Sequence, residues 1–352
     1  DSLDLAASPQ TKLVGGTPFN YLPVIIEGST ARIYLHAPLA YGQRYSVTLE
    51  PGVFLDDAGA PYAGFSDPNL WYISTRTRVP QPSSNITVSA TNTGDFCTVQ
   101  GAIDLVPANN PSPVTIALAP SNYEGIVYVP ATKPNVTVLG YDRDNTVIRY
   151  PNNNNLNPST QGRAMFGVDA ANFRLQDLTL WNTTPRGGSQ AEAFRSNAQR
   201  TTLDRVTLKS FQDTILLNGT AFVRDSYIEG DVDFLWGSAA AYFLNCEIKA
   251  VSTGAYYTQI RNAQNQNGFV FVNSRLTSAP GVSGVYLSRI DPTVFPYSQV
   301  VFIDTAMGAH IRPDAWLLNN ATAAPNVQFW EFNSTDLAGR RLDVSGRAPF
   351  SR

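Results

Sequence analysis

The sequence predicts an all-β protein, a right-handed parallel β-helix over residues 80–352 preceded by a small β-sandwich over residues 1–79. Three observations lead to this prediction. A short alternating apolar unit recurs from residue 85 onward, an Asp or Asn stands inside most of these units, and a Pro- and Ser-rich stretch at 76–84 separates the two parts. Units too short to bury an apolar face alone share one continuous core when they stack as coils.

Composition and charge limit the function classes. The 352 residues are 43% hydrophobic and 15% charged, with a formal net charge of -3. This balance argues against nucleic acid or an anionic membrane surface as the main partner. No apolar run reaches the roughly 18–20 residues of a membrane span. Because the chain starts at Asp1 without a signal-like segment, we expect a secreted protein whose signal peptide has been removed. We also expect a monomer.

The N-terminal part reads as short strands separated by turns. The segments PVIIEG, ARIYLHAP, QRYSVTLEPG and NLWYISTR alternate between apolar and polar residues, with Gly, Pro and DDAG turns between them. This pattern predicts a β-sandwich, and the stretch RYSVTLEPGVFLDDAGAPYAGF followed by WYISTR resembles bacterial immunoglobulin-like domains. His36 lies inside one of these strands without a nearby second ligand, so we interpret it as structural.

The repeated units follow the linker. Their central Asp or Asn residues stand at 177, 204, 225, 245, 273 and 304, in steps of 20 to 31 residues. Variation in step length is typical of loops that leave one face of a solenoid, and such loops are where a site is built. The units are FRLQDLTL (173–180), TTLDRVTL (201–208), AFVRDSYI (221–228), YFLNCEI (242–248), FVFVNSRL (269–276), VVFIDTAM (300–307) and VQFWEF (327–332).

Only residues 96–107, FCTVQGAIDLVP, have a helical apolar pattern, with Val99, Ile103 and Val106 on one face. A helix there is expected to cover the open N-terminal end of the β-helix core. The two cysteines, Cys97 and Cys246, match no metal-site spacing, and we predict that both are buried free thiols.

Two carboxylates in apolar surroundings suggest the chemistry. Asp213 follows the central residue of its unit by nine positions, and Asp233 follows that of the next unit by eight. Stacked coils bring equivalent positions to within roughly 5 Å of each other. Two carboxylates that close cannot both ionise cheaply, so one is expected to hold a proton near neutral pH. The pair therefore predicts a nucleophile and a general acid.

Further polar side chains are expected on the same face. Gln212 directly precedes Asp213, and Gln190 lies about one coil earlier; side-chain amides can donate hydrogen bonds to a developing oxyanion. Arg289 could keep one acid ionised and oriented. Phe234, Trp236 and Tyr286 would surround these groups.

A purely structural interpretation of each residue alone remains open, since Asp and Asn in β-helix turns often cap backbone amides. The combination of two acids, two glutamines and an arginine on one face favours a catalytic site.

Motifs in order along the chain resemble those of the pectin methylesterase family, whose fold is pectin-lyase-like. The family forms GxYxE, QAxA, QDTL, DFIFG and LGRPW are similar to SNYEG at 121–125, QAEA at 190–193, QDTI at 212–215, DFLWG at 233–237 and LSRID at 287–291. The resemblance covers roughly residues 85–335.

The resemblance implies hydrolysis of the C6 methyl esters of homogalacturonan (pectin), without a metal or cofactor. Asp233 would be the nucleophile, and Asp213 the general acid and then base. Gln190 and Gln212 would stabilise the oxyanion, and Arg289 would orient Asp233.

Substrate contacts are expected at Tyr123, Phe234, Trp236, Tyr286, Asp291 and Trp316. Where the family's last motif has Trp this chain has Asp291, and Leu216 replaces the aromatic that commonly follows QDTL. Because aromatic faces stack on sugar rings, these departures affect the sugar subsites. Glu124 and His310 are interpreted as structural.

Three alternatives remain. A related enzyme could act on a different ester or a thioester, an interpretation that the missing Trp at 291 keeps open. A β-helix pectin lyase or polygalacturonase would need a calcium-binding acid cluster, or three Asp with a catalytic His, and the sequence indicates neither. A non-catalytic carbohydrate-binding β-helix would not need the acid pair.

Overall fold

The computed structural model describes residues 9–351. Contacts divide the chain into two units, one comprising most residues up to Gln81 and one from Pro82 onward, with Val14–Thr17 belonging to the second. This boundary lies inside the stretch that the sequence predicts as a linker. Within the described residues, no helix is long and apolar enough to cross a membrane.

The described residues before Pro82 contain three two-stranded sheets. Their strand pairs are Gln10–Val14 with Thr17–Tyr21, Val24–Glu27 with Thr30–Ile33, and Arg44–Ser46 with Tyr72–Ser74. The last two pairs are antiparallel. Three separate ribbons do not by themselves make two packed layers, so the immunoglobulin-like sandwich over residues 1–79 stays a prediction.

The second unit is a parallel β-helix, as the sequence predicts. Its strands form three long sheets of ten, nine and eight strands, and every paired neighbour within them is parallel. From Val114 to Leu318, each coil passes through the first, second and third sheet in turn.

The strands of the three sheets have the following bounds. In the first sheet they are Asn85–Val88, Val114–Leu118, Val136–Leu139, Arg174–Gln176, Thr201–Asp204, Thr220–Arg224, Ala240–Leu244, Phe269–Val272, Gln299–Ile303 and Gln328–Phe332. In the second they are Ser121–Glu124, Thr146–Tyr150, Thr179–Asn182, Thr207–Lys209, Tyr227–Gly230, Glu247–Ala250, Arg275–Ser278, Ala306–Met307 and Thr335–Asp336. In the third they are Val127–Val129, Phe166–Val168, Phe194–Ser196, Ile215–Leu217, Leu235–Gly237, Tyr256–Ile260, Tyr286–Ile290 and Trp316–Leu318.

Each repeated unit except VQFWEF, which forms only the strand Gln328–Phe332, spans two strands that meet at a bend residue near its centre. That residue has a left-handed backbone, with φ of 50° at Asp225 and 54° at Asp177 and Asn245. Asp and Asn adopt this conformation more readily than most residues, which explains their recurrence at the bend. In one coil the bend residue is Arg205, with φ of 52°, one position after the central Asp204 of its unit.

The single helix in the described chain, Val99–Leu105, lies where the sequence predicts it. Thr98 caps it by accepting a hydrogen bond from the Gly101 backbone N–H at 3.2 Å. The helix buries Val99 and Ile103 against strands at the N-terminal end of the coil stack. Its apolar face therefore covers core that would otherwise meet water.

Aromatic rings fill the interior of the later coils. Phe271 stacks on Phe243 at 4.5 Å and on Phe302 at 4.7 Å between ring centroids, and Trp316 stacks on Phe329 at 4.7 Å. Residues at one register position of successive coils thus pack on each other, which makes the core continuous.

The two cysteines have different surroundings. Neither forms a disulfide, and Cys246 is buried, but Cys97 is exposed. The prediction that both thiols are buried is therefore wrong for Cys97, whose sulfur lies 2.9 Å from the Asn92 side-chain oxygen near the surface.

Candidate active site

Three carboxylates align on successive coils. Glu192, Asp213 and Asp233 each lie two residues before a strand of the third sheet, and those three strands pair in register. Asp213 and Asp233 have left-handed backbones, with φ of 66° and 50°. Because Arg205 is the true bend residue of its coil, each aspartate follows its bend by eight positions. Asp213 and Asp233 therefore occupy equivalent positions of adjacent coils by residue count, and Glu192 lies at the corresponding register position one coil earlier. These three carboxylates form a column along the third sheet.

Asp233 is held by a bidentate ion pair. Arg289 donates from Nε to Oδ1 at 2.8 Å and from Nη2 to Oδ2 at 2.5 Å, and Gln259 donates to Oδ2 at 3.0 Å. Burial raises the pKa of Asp233, while the charges of Arg289 and Arg261 act in the opposite direction. Three donors fix the carboxylate, and a fork-shaped cation favours its ionised form.

Asp213 has a different environment, with one strong donor and a neighbouring acid. Arg163 Nη2 donates to its Oδ2 at 2.7 Å. Burial, followed by the negative charge of Glu192, raises the pKa of Asp213 to about 8; Asp233 adds to this rise, and Arg163 and Arg261 oppose it. Asp213 is therefore a protonated acid at neutral pH, next to an acid held by arginine.

The two glutamines lie beside this column. The Ala191 backbone N–H donates to the Gln212 carbonyl oxygen at 3.1 Å, which joins the coils that carry Gln190 and Gln212. The Gln190 side-chain oxygen accepts a hydrogen bond from the Ser189 hydroxyl at 2.9 Å. Both side chains are half-buried, so each has an accessible part at the edge of the site.

Four residues that contact the acids directly or through a neighbour do not appear among the sequence-predicted site residues. Glu192 stands inside the QAEA motif, and its register with Asp213 could have revealed it. Gln259 and Arg261 belong to Tyr256–Ile260 and the residue after it, a segment without the repeated Asp or Asn pattern. Arg163 comes from a long loop, residues 151–165, in which the sequence carries no periodic signal.

Three of the predicted substrate contacts are buried side chains. Tyr123 is buried, and its hydroxyl donates to the Ala119 carbonyl oxygen at 2.7 Å. Phe234 is fully buried against the Tyr257 ring, 5.2 Å away between centroids. Trp316 is buried in the aromatic stack of the later coils. None of the three presents a surface in this structure, and their roles towards a substrate stay predictions.

The other predicted contacts differ in exposure. Tyr286 is half-buried and stacks on Tyr256 at 5.3 Å, beside the Arg289 guanidinium. Trp236 is only 6% exposed, because guanidinium groups lie 5.3 Å and 4.8 Å from its ring centroid. Leu216 is buried next to Trp236, so it lies beneath the surface and not at an open groove edge.

Asp291, where the family has Trp, is occupied by local hydrogen bonds. It accepts from the Thr293 backbone N–H at 3.0 Å and from the Asn320 side chain at 2.7 Å. These hydrogen bonds, first from Thr293 and then from Asn320, lower the pKa of Asp291. The residue therefore orders a loop, and its role towards a substrate stays a prediction.

His310 and Glu124 have structural partners. The buried His310 Nε2 lies 2.7 Å from the Tyr257 hydroxyl, and burial lowers the pKa of His310 to about 4. Glu124 pairs with Arg149 at 2.7 Å on the second sheet. Both sets of contacts agree with the interpretation of His310 and Glu124 as structural residues.

Replacing Trp316 by alanine tests its reassignment to the core. We expect a loss of about 3–5 kcal/mol in the free energy of unfolding, because the ring is buried and stacked. KM for the substrate should not change in the folded fraction. Denaturant unfolding and initial rates measure the two quantities.

Trp330→Ala is the matched control, since that ring is 37% exposed. It should cost less than about 1 kcal/mol. A large rise in KM for Trp316→Ala at unchanged stability would indicate that Trp316 contacts the substrate.

The fold and the site together define the class of protein, a carboxylic ester hydrolase built on a parallel β-helix with a buried acid pair. The pectinesterase family model matches residues 85–348, which include all three carboxylates of the column. The chain therefore belongs to the pectinesterase family.

Individual relatives agree with this assignment. Pectinesterase 31 from Arabidopsis thaliana is 32% identical over 280 residues, covering 76% of this chain and 86% of the relative. Pectinesterase 2 from Olea europaea is 29% identical over 324 residues, covering 85% of this chain and 86% of the relative. Among solved structures, the pectin methylesterase from carrot superposes with a TM-score of 0.71 at 25% identity, covering 78% of this chain and 89% of that one.

Proposed function

We propose that this protein is a secreted enzyme that hydrolyses the C6 methyl esters of homogalacturonan, giving pectate and methanol. The observation that carries the proposal is the division of roles within the acid pair: Asp233 is bound by Arg289, whereas the pKa of Asp213 is raised to about 8. One carboxylate suited to attack and one acid suited to protonate a leaving group are the minimum that ester hydrolysis through a covalent intermediate requires.

Asp233 acts as the nucleophile in this proposal. One of its carboxylate oxygens attacks the C6 carbonyl carbon, and the carbonyl oxygen becomes an oxyanion. The fork of Arg289 and the amide of Gln259 hold the carboxylate in one orientation before attack. Gln190 and Gln212 donate to the oxyanion, a contribution worth about 10²- to 10³-fold in rate for a single donor in other enzymes.

Asp213 moves the protons. When the tetrahedral intermediate collapses, the bond from C6 to the methoxy oxygen breaks, and the departing oxygen takes the proton of Asp213 to leave as methanol. An anhydride between Asp233 and the galacturonate remains. The ionised Asp213 then takes a proton from water, whose oxygen attacks C6 and releases Asp233 as a carboxylate.

A second candidate, an enzyme for a different ester or a thioester, is favoured by the covered Trp236. Its ring is 6% exposed, so it offers little face for stacking on a sugar. Tyr286 is the half-exposed aromatic that stays a predicted sugar contact. Methanol release from methylated pectin, compared with hydrolysis of a small acyl thioester, separates the two candidates. Faster turnover of the thioester would contradict the homogalacturonan proposal.

The rate should depend on pH through both acids. Because attack requires ionised Asp233 and departure requires protonated Asp213, kcat/KM should fall at low pH and again above about pH 8, the pKa of Asp213. Initial rates of methanol release across the pH range measure this. A rate that continues to rise well above pH 8 would remove Asp213 from the role of general acid, and alkaline hydrolysis without enzyme supplies the blank.

A further inference from the structure

An ion pair to which the proposed mechanism assigns no step lies directly against Asp213. Arg163 Nε donates to Glu192 Oε1 at 2.9 Å and to Oε2 at 3.0 Å, and Nη2 lies 2.8 Å from Oε1. The Glu192 side chain is 0% exposed and that of Arg163 is 8% exposed. The same Nη2 also donates to Asp213 Oδ2 at 2.7 Å. One guanidinium therefore binds two carboxylates on adjacent coils.

Burying the Arg163–Glu192 ion pair costs free energy. Removing two charges from water carries a penalty of several kcal/mol per ion, and well-packed apolar residues would often stabilise the fold as well or better. The neighbouring core positions are in fact apolar: Ala191 and Ala193 flank Glu192 and are buried. A buried pair of charges at the register position of the two aspartates therefore points to a function in the site.

Contacts on several sides fix the guanidinium. The Arg163 backbone N–H donates to the Ser159 carbonyl oxygen at 3.0 Å, and the Met165 N–H donates to the Glu192 carbonyl oxygen at 2.8 Å. The Trp236 ring centroid lies 5.3 Å from the guanidinium carbon. The Arg163 loop is thus joined to the coil of Glu192 by backbone and side-chain bonds, and Nη2 points at Asp213.

We propose that the Arg163–Glu192 ion pair is a positioning device for Asp213, in which Arg163 orients the carboxyl group and Glu192 neutralises the charge that Arg163 would otherwise impose on it. This inference rests on the proposed function, since it concerns the acid of that reaction. Without Glu192, the guanidinium would favour ionised Asp213, which cannot protonate the departing methoxy oxygen.

The pKa of Asp213 depends on Glu192 and on the other charged groups around it. Asp233 and Arg289 form their own pair one coil further on, while Arg261 faces both aspartates. Glu192 is the largest charge contribution to the raised pKa of Asp213 after burial itself, with Arg163 opposing. Removing the Glu192 charge should therefore lower the pKa of Asp213.

The test is Glu192→Gln, which keeps an oxygen acceptor for Arg163 and removes the negative charge. The alkaline fall in kcat/KM should move to lower pH by about one unit or more, as expected for the loss of a close charge. The low-pH fall, set by Asp233, should move much less. Thermal unfolding of the same variant shows whether it folds.

Glu124→Gln is the matched control, because Glu124 forms a partly buried ion pair with Arg149 on the second sheet. Its pH profile should coincide with that of the wild-type protein. If the profile of folded Glu192→Gln also coincides with the wild type, or if Glu192→Gln changes only the unfolding temperature, the proposal is wrong.

A double variant removes the device without leaving a buried charge unpaired. Arg163→Met combined with Glu192→Leu should fold, and kcat should fall roughly 10²-fold with KM nearly unchanged, because Asp213 loses its orienting donor. Arg163→Lys keeps the charge without the fork, so kcat should lie between those of the wild type and the double variant. Wild-type kcat in the double variant would overturn the proposal.

A readout independent of activity separates this inference from the proposed function. The infrared band of the protonated carboxyl, in difference spectra against Asp213→Asn, titrates Asp213 directly. It should disappear at lower pH in Glu192→Gln than in the wild type. If the band disappears at lower pH in Glu192→Gln but the protein releases no methanol, the proposed function alone is rejected. If the band disappears at the same pH in both proteins, the positioning role alone is rejected.

Discussion

Asp233→Asn is expected to reduce methanol release from methylated pectin by at least about 10⁴-fold, in line with the loss of a nucleophile in other enzymes with covalent intermediates. Asparagine has nearly the same shape as aspartate, and its oxygen can still accept from Arg289 or Gln259. Its amide cannot attack an ester carbonyl. The fold should persist, because the amide NH2 replaces only one acceptor oxygen and the Arg289 side chain, which is 27% exposed, can donate to water instead.

The matched control for this variant is Asp225→Asn. Asp225 stands eight residues earlier in the same coil, at the left-handed bend, where its side chain accepts from Asn245 at 3.2 Å. Asparagine suits that conformation, so activity should be unchanged. Substantial ester hydrolysis by folded Asp233→Asn would mean that another group attacks the substrate.

Asp213→Asn is expected to lower kcat/KM by about 10²- to 10⁴-fold, the usual range for a positioned acid or base. The same change should raise the unfolding temperature at pH 8. In the folded protein the pKa of Asp213 is raised from 3.8 to about 8. The folded state thus binds a proton that the unfolded chain has released, and wild-type stability falls as the pH rises through this interval.

An asparagine side chain does not titrate, so the variant avoids that loss. Its advantage in unfolding temperature should be present at pH 8 and should vanish below about pH 4, where aspartate is protonated in both states. Scanning calorimetry of both proteins at these pH values measures the difference. Equal unfolding temperatures at every pH would show that Asp213 is not held protonated in the folded enzyme.

The fold and the acid pair could be predicted from sequence because the number of residues per repeat shows which positions of adjacent coils are equivalent. Asp and Asn mark the left-handed bends, and the distance between bends sets the register of the third sheet. Arg205 shows the limit of this approach, because the bend of its coil carries neither Asp nor Asn, and counting from Asp204 places Asp213 nine residues on instead of eight. Asp213 and Asp233 are in register in the structure.

The surroundings of the acids could not be predicted to the same degree. Arg163 reaches Asp213 from a loop whose sequence has no period, so only the fold brings the two together. Motif letters also do not say which way a side chain points. Phe234 follows a left-handed residue and turns into the core, while Trp236, two positions later, lies under two guanidinium groups. The exposure of the predicted sugar contacts therefore could not be read from the sequence, and all of these contacts stay predictions.

The most direct test of the paired-acid account is the rate of methanol release from highly methylated pectin, measured for the wild-type protein as a function of pH. The account predicts a bell-shaped profile whose alkaline side falls near pH 8, where Asp213 loses its proton. Absence of methanol at every pH, or a rate that keeps increasing beyond pH 8, would contradict it.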